Sequence, residues 1–373
     1  MTARLHVLLG AGGVGKTTLA AGYALSLARS GSRVGLLGID PARRLQGALG
    51  VILRDEPLPV TGWEEPAAPP RGALNAALLR PEDCLRRWAE ESASDPAALA
   101  ELSRNTFFLA LADRLAAAAD VLAAIRVAEW AERDPAMTDL VVDTAPGLNA
   151  IDFLRRPRAL TVFLEGRLIR WLRAVAPSRS GGALSDVLRG GARRAVGGLS
   201  RLGGTRLILE LGDFVSLVEG MLERMLSRLE KAQGWLQDPA TEILLVTAVR
   251  DDAADAAHKI ARALRAAGLA PTSAVLNRAL PASLAAELAR LTRSDPSENQ
   301  APIDPPWPRE AHVIATYARL YIEMQERVAA AVAPLSPRLV IVPAARGLDE
   351  DARASALTAL GDRLRNGLLA ADR

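Results

Sequence analysis

Cysteine occurs once in the 373 residues, at Cys84, so one chain can form neither an internal disulfide nor an all-thiolate metal site. The three histidines, His6, His258 and His312, are scattered without ligand spacing and are expected to be packing or surface residues. No run of about 18 uncharged apolar residues occurs, so no segment is expected to span a bilayer. The first strand-like segment starts at Leu5 and leaves no room for a signal peptide. The expected location is therefore cytoplasmic, with a peripheral position at a membrane as the alternative. Excess charge is also missing: 46 basic residues against 43 acidic ones are no evidence for a specific nucleic-acid partner. Lysine is the scarcest cation, with only Lys16, Lys231 and Lys259. Half of the residues are hydrophobic, enough for one large core or a core with a subdomain.

One of those three lysines sits in the most informative stretch, Gly10-Ala11-Gly12-Gly13-Val14-Gly15-Lys16-Thr17-Thr18. It follows the apolar run Leu5–Leu9 and precedes a helix-like segment, Leu19–Arg29, the strand–loop–helix setting that a phosphate loop requires. Glycines let backbone N–H groups turn inward around phosphate oxygens, and the following helix presents its positive end. Gly12, Gly13, Val14, Gly15, Lys16, Thr17 and Thr18 are the predicted nucleotide-binding residues. Lys16 neutralises β- and γ-phosphate charge, and the Thr17 hydroxyl suits Mg²⁺. A glycine turn with a chance lysine is the bland reading. It fits poorly with a chain that otherwise uses arginine.

Short Leu- and Val-rich runs alternate with longer helical patterns, which predicts an α/β fold: a mostly parallel central sheet flanked by helices. The expected strands are Leu5–Leu9, Arg33–Ile39, Ala73–Leu78, Asp139–Val142, Ile243–Ala248, Ser273–Leu276 and Arg338–Val342. Two or three helices are expected between Leu85 and Arg133, and an amphipathic helix over Asp349–Leu369. Glu56–Arg71 and Ser294–Pro308 are rich in proline and polar residues and read as exposed loops. From 153 to 237 the alternation stops. Two apolar amphipathic stretches flank a Gly- and Arg-rich middle, Ser178–Gly204, whose paired glycines disfavour helix. The expected organisation is a P-loop NTPase domain over 1–152 and 238–373, with a helical insertion subdomain over 153–237.

Two aspartates complete the predicted site. Gly38-Ile39-Asp40-Pro41-Ala42 follows the second strand, and Val142-Asp143-Thr144-Ala145-Pro146 follows the fourth. Open α/β sheets place ligands at the carboxyl ends of their strands. Asp143 can therefore reach the Mg²⁺ shell through water, and Asp40 can orient the attacking water, making Asp40 and Lys16 the predicted catalytic pair. An Asp before Pro or Thr is also a common cap or turn residue. The order of the three motifs favours the catalytic reading.

On these motifs the chain resembles the ArsA-type ATPases, which include the arsenite-pump ATPase and the guided-entry ATPases that deliver tail-anchored membrane proteins. The matching pieces are the loop Gly12–Thr18, the first switch Asp40–Ala42 and the second switch Asp143–Pro146. Leu276–Arg278 is similar to the family's adenine-recognition region, which implies Asn277 as a nucleotide contact. The resemblance spans the whole chain, more weakly through the insertion, with bacterial ArsA-related ATPases the most similar. It implies ATP and Mg²⁺ as ligands and a dimer, either of identical chains or with a lysine-bearing paralogue. Ala11 departs from the pattern, since the family carries there a lysine that reaches the partner's phosphates. Arg43 or Arg44 substitutes for it, or a partner subunit supplies it, or hydrolysis is weak. Cys84 alone matches neither the family's C-x-x-C zinc bridge nor its metalloid-binding cysteines, and two thiolates shared between chains are too few for structural zinc.

The insertion falls where the family keeps its client-binding helices, so ATP-gated handling of a hydrophobic or membrane-protein client is the expected use. Its apolar positions are Leu160, Phe163, Leu164, Leu168, Ile169 and Trp171, then Leu207–Leu229 with Met221 and Met225, flexible side chains suited to varied clients. The alternative is that these residues pack the subdomain's own core. Two other uses stay open: the energising subunit of an anion or metalloid exporter, and a weakly catalytic half of a heterodimer. A partition ATPase working on DNA or membranes has only the arginines of Ser178–Arg206 in its favour, which a solvated loop explains equally.

Overall fold

A computed structural model describes residues 3–40, 44–63, 72–92, 119–147, 223–281, 308–344 and 353–370, with short pieces between 99 and 109 and between 283 and 286. The chain divides into two compact units, one of residues 1–78, 135–151 and 239–373, the other of residues 79–134 and 152–238.

The first unit is a sheet of eight strands: β1 (Arg4–Gly10), β2 (Arg33–Gly38), β3 (Leu58–Pro59), β4 (Ala73–Leu78), β5 (Asp139–Asp143), β6 (Glu242–Ala248), β7 (Ser273–Ala279) and β8 (Leu339–Pro343). Their order is β3-β4-β2-β5-β1-β6-β7-β8. Every pairing is parallel except β3 with β4, so the architecture is the α/β P-loop NTPase sheet that the alternation of patterns predicts. In β1 and β6 consecutive side chains are buried. Neighbouring side chains of a strand point to opposite faces, so the sheet is covered on both, as parallel sheets require. β8, at one edge, alternates instead and leaves Ile341 exposed.

All seven expected strands form. The expected exposed loop over Glu56–Arg71 needs one correction: Leu58–Pro59 is a short antiparallel edge strand on β4. Pro59 is tolerated because an edge strand has a side without ladder bonds. Val60 donates its N–H to Leu74 O at 2.9 Å, and Trp63 is buried with its indole N–H on Val60 O. Residues 64–71, and the expected loop up to residue 307, lie outside the described residues.

Helices α1 (Lys16–Arg29) and α2 (Arg44–Leu49) follow β1 and β2. Within the second unit come α3 (Pro81–Ser92) and α4 (Ala119–Arg133). The first unit continues with α5 (Ala253–Ala266), α6 (Pro308–Val332) and α7 (Arg353–Ala370). The C-terminal amphipathic helix is thus present, and it packs on α1 and β8. Its crossing with α1 is backbone on backbone: a Cβ on Gly361 would meet the Gly22 carbonyl, and one on Gly22 the Leu357 carbonyl. Ser26 and Asp362 bridge the pair at 2.5 Å, and Arg365 donates to Ser26 O at 3.1 Å. His6, within β1, is buried, its Nε2 3.0 Å from Asp139 and its Nδ1 3.4 Å from the Tyr23 hydroxyl. It is a satisfied core residue.

In the second unit, α3, α4 and a helical segment over residues 223–236 carry buried Cys84, Leu85, Trp88, Ile125, Trp130, Met225 and Leu229. Glu129 is fully buried and accepts from Arg87 at 2.9 and 3.2 Å and from the Trp88 indole at 3.0 Å. Burial alone would raise its pKa, but Arg126 and Arg87 hold it below the ordinary carboxylate value. Arg228 joins Glu132 and Glu91. Met225 and Leu229, from the second apolar stretch of the insertion, belong to this interior. The rest of the expected client groove, residues 153–222, lies outside the described residues.

Candidate active site

β1 ends at Gly10 in the middle of the sheet and α1 begins at Lys16, so the five residues between them must reverse the chain. Gly15, the N-cap of α1, makes the turn at φ 91°, and a Cβ there would collide with the Asn277 amide. Only glycine satisfies both demands. Asn277, near the end of β7, donates its side-chain amide to Val14 O at 2.9 Å. It thus clamps the loop from two strands away in the sheet.

Lys16 is buried, and its ammonium donates to the Gly10 and Ala11 carbonyls, both at 3.0 Å. Burial lowers its pKa, while the nearby Asp143 and Asp40 carboxylates work in the opposite direction. The two aspartates arrive from neighbouring strands. Asp143 ends β5, in register with Leu8 of β1 and Gly38 of β2, and Asp40 follows β2 by two residues. The Ile39 N–H donates to Asp143 O at 2.9 Å, tying the two switch segments together. Thr144 donates its hydroxyl to Leu8 O at 2.6 Å, and the Gly147 N–H donates to Gly10 O at 2.9 Å, tying the second switch to the loop.

Burial pushes the Asp143 carboxyl up to about 6; the Thr17 hydroxyl that donates to it and the Lys16 charge lower it, and Asp40 raises it. Its Oδ1 is buried and has no hydrogen-bond partner among the described residues. An orphaned carboxylate oxygen beside a threonine hydroxyl is a suitable donor set for a hydrated Mg²⁺, a hard cation that takes one or two protein oxygens and keeps several waters. Asp40 is mostly buried and lies 3.7 Å from the exposed guanidinium of Arg44.

One cleft of about 360 Å³ is formed by Gly13, Gly15, Lys16, Thr17 and Thr18 of the loop, Asp40 and Thr144 of the switches, and Arg44 and Arg278; Asp143 is buried beside it, bonded to Thr17. Of the predicted nucleotide-site residues, Gly12 and Val14 are not in this lining: Gly12 O accepts from Arg250 at 3.3 Å, and Val14 is buried. Asn277 is buried behind the loop. Arg43 lies outside the described residues. Two arginines were not singled out by sequence reasoning. Arg278 adopts φ 62°, an uncommon conformation for a non-glycine residue, and the Tyr321 hydroxyl donates to its carbonyl at 2.6 Å. Its neighbour Asn277 was the available signal. Arg250 had none, because 238 residues separate it from the loop that it touches.

Residues 3–181 match the family model described as anion-transporting ATPase. An uncharacterised protein of Streptomyces coelicolor is 32% identical over 283 residues, covering 74% of this chain and 63% of that protein. The ATPase GET3 of Malassezia globosa is 29% identical over 159 residues, 41% of this chain and 44% of the relative. The ATPase GET3 of Mycosarcoma maydis is 27% identical over 152 residues, 40% and 41% of the two chains. The chain thus matches less than two thirds of the length of each of these relatives.

Proposed function

Because the chain belongs, through residues 3–181, to the anion-transporting or ArsA-type ATPase family, we propose that it binds ATP with Mg²⁺ in the β1 cleft and hydrolyses it to ADP and phosphate. The observation that carries this reading is that Lys16, Thr17 and Asp40 line one cleft, with the buried Asp143 carboxyl accepting from the Thr17 hydroxyl beside it. Lys16 exchanges its two carbonyl partners for β- and γ-phosphate oxygens. Asp40 accepts a hydrogen bond from the attacking water and sets its direction. Thr17 and Asp143 are the residues that would hold the metal. The bound Mg²⁺ supplies neutralisation of charge developing on the phosphates. Asn277 positions the loop through Val14 and, as the resemblance implies, contacts the base.

Fluorescent-nucleotide binding and phosphate release test this assignment. Lys16→Ala should abolish binding, since Lys16 is the lysine that lines the cleft. Asp40→Asn should keep binding and lower turnover, because it removes a group that acts on water rather than on phosphate. Unchanged hydrolysis in Asp40→Asn would remove Asp40 from the mechanism.

The hydrolysis cycle gates the handling of a hydrophobic segment or membrane-protein client by the insertion. Two relatives named ATPase GET3 and the position of the insertion after the second switch support this use. Asp40→Asn, locked with ATP, should retain an exposed transmembrane helix that the nucleotide-free protein releases. The family's description as anion-transporting favours a second reading, the energising subunit of an anion exporter. Stimulation of hydrolysis by an oxyanion, with no effect of a hydrophobic helix, would select that reading.

A further inference from the structure

The carbonyl oxygens of three consecutive residues of the phosphate loop are turned towards cations. Gly10 O and Ala11 O accept from Lys16, and Gly12 O accepts from Arg250 at 3.3 Å. In a trans peptide the carbonyl of one residue and the N–H of the next point in opposite directions. Holding Gly12 O on Arg250 therefore aims the Gly13 N–H away from Arg250, and Gly13 lines the cleft. The guanidinium lies close against this part of the loop: a Cβ on Gly13 would stand 3.4 Å from its Nη1, and Gly13 itself has φ 76°.

Arg250 reaches this place because β6 pairs with β1, Gly10 opposite Val246, and the chain leaving β6 turns beside the loop leaving β1. Its direction is held by Asp252, which accepts from Nε at 2.6 Å and from Nη2 at 2.7 Å. A guanidinium has five N–H donors, and these bonds engage three of them. The side chain remains partly open to solvent. Ala11 packs on the core. Arg44, the described one of the two arginines offered as a substitute for a lysine there, is beside Asp40 and lines the cleft.

We propose that Arg250 is a positioning residue of the phosphate loop, orienting the Gly13 N–H through a charge-assisted hydrogen bond to the Gly12 carbonyl. Its effect rests on the ATP reading above. It is largest when charge develops on the phosphates, because a donor already aimed at that charge stabilises it without reorganising.

The test uses the full chain, a fluorescent ATP or ADP analogue for binding, and phosphate release for turnover. Binding by the wild type that is lost in Lys16→Ala establishes the nucleotide site; its absence would overturn the proposed function itself, before Arg250 is addressed. Given binding, Arg250→Ala and Arg250→Gln should each lower turnover by about 10- to 100-fold, the worth of a charge-assisted hydrogen bond. ADP affinity should change far less than turnover in both. Arg250→Gln keeps a neutral donor for Gly12 O, so wild-type turnover in Gln together with a loss in Ala would overturn the charge role. Arg250→Lys, which keeps the charge and a donor for Gly12 O, should recover most of the loss seen in Arg250→Ala. Full turnover in Arg250→Ala, or no recovery in Arg250→Lys, overturns the proposal.

Discussion

Asp143 is held at a cost to the fold that its proposed work explains. The folded protein keeps a proton on this carboxyl up to about pH 6, whereas an ordinary aspartate loses it near 3.8. Between those values the folded state binds more protons than the unfolded one. Stability therefore falls as pH rises through the window, and the deficit persists above it. Asp143→Asn removes the buried charge and should raise stability at neutral pH by on the order of 2–3 kcal/mol, with little gain below about pH 4. Urea midpoints at the two pH values check this. Equal midpoints for both proteins at neutral pH would show that Lys16 already compensates the charge. Hydrolysis by the variant should be lost, since the orphaned oxygen offered to the metal shell becomes an amide. Below about pH 6 the wild type should need more Mg²⁺ for the same rate, because the protonated carboxyl no longer attracts it.

The crossing of α1 and α7 decides how firmly the loop's helix is seated. Helix α1 starts at Lys16, and its middle turn lies against α7 through Gly22 and Gly361, with no side chain between the two backbones. Gly361→Ala places a methyl group against the Gly22 carbonyl, and neither backbone can move without lifting the helix from the sheet. The expected loss is about 2–4 kcal/mol, at the upper end for overpacking because the obstacle is main chain. Thermal unfolding measures it. Gly367→Ala is a useful contrast, because the atom it meets is the end of the Val340 side chain, and it should cost less. A Gly361→Ala protein as stable as the wild type would mean that the helices separate easily.

At the scale of the whole molecule, the proposed ATPase should change its assembly with nucleotide. The P-loop cleft is open on one side; among the described residues Lys16 and Arg250 bond the loop, and Arg44 and Arg278 line the cleft. Light scattering with and without ATP and Mg²⁺ should show a dimer in the nucleotide-bound Asp40→Asn protein. A monomer in both conditions at micromolar concentration would point to a different, lysine-bearing subunit as the partner.

What could be read without coordinates is what local order carries. The glycine spacing from Gly10 to Thr18, the aspartates at strand ends and the seven apolar runs are short-range patterns, and each strand formed at the position its run occupies. Parallel strands buried on both faces announce themselves as continuous Leu and Val, whatever their neighbours. The edge strand at Leu58–Pro59 is only two residues long and carries proline, so nothing in its composition marked it. Helix α6 was likewise not placed, because Ile314, Tyr317 and Leu320 are exposed and no clean apolar face distinguishes it. The strand order belongs to the tertiary structure alone. By setting β6 and then β7 on one side of β1, it brings Arg250 and Asn277, 238 and 263 residues away in sequence, onto the phosphate loop. The loop's residues are determined by their own backbone geometry; the groups that hold it in place are determined by which strands hydrogen-bond side by side, and that choice is made by packing over the whole sheet.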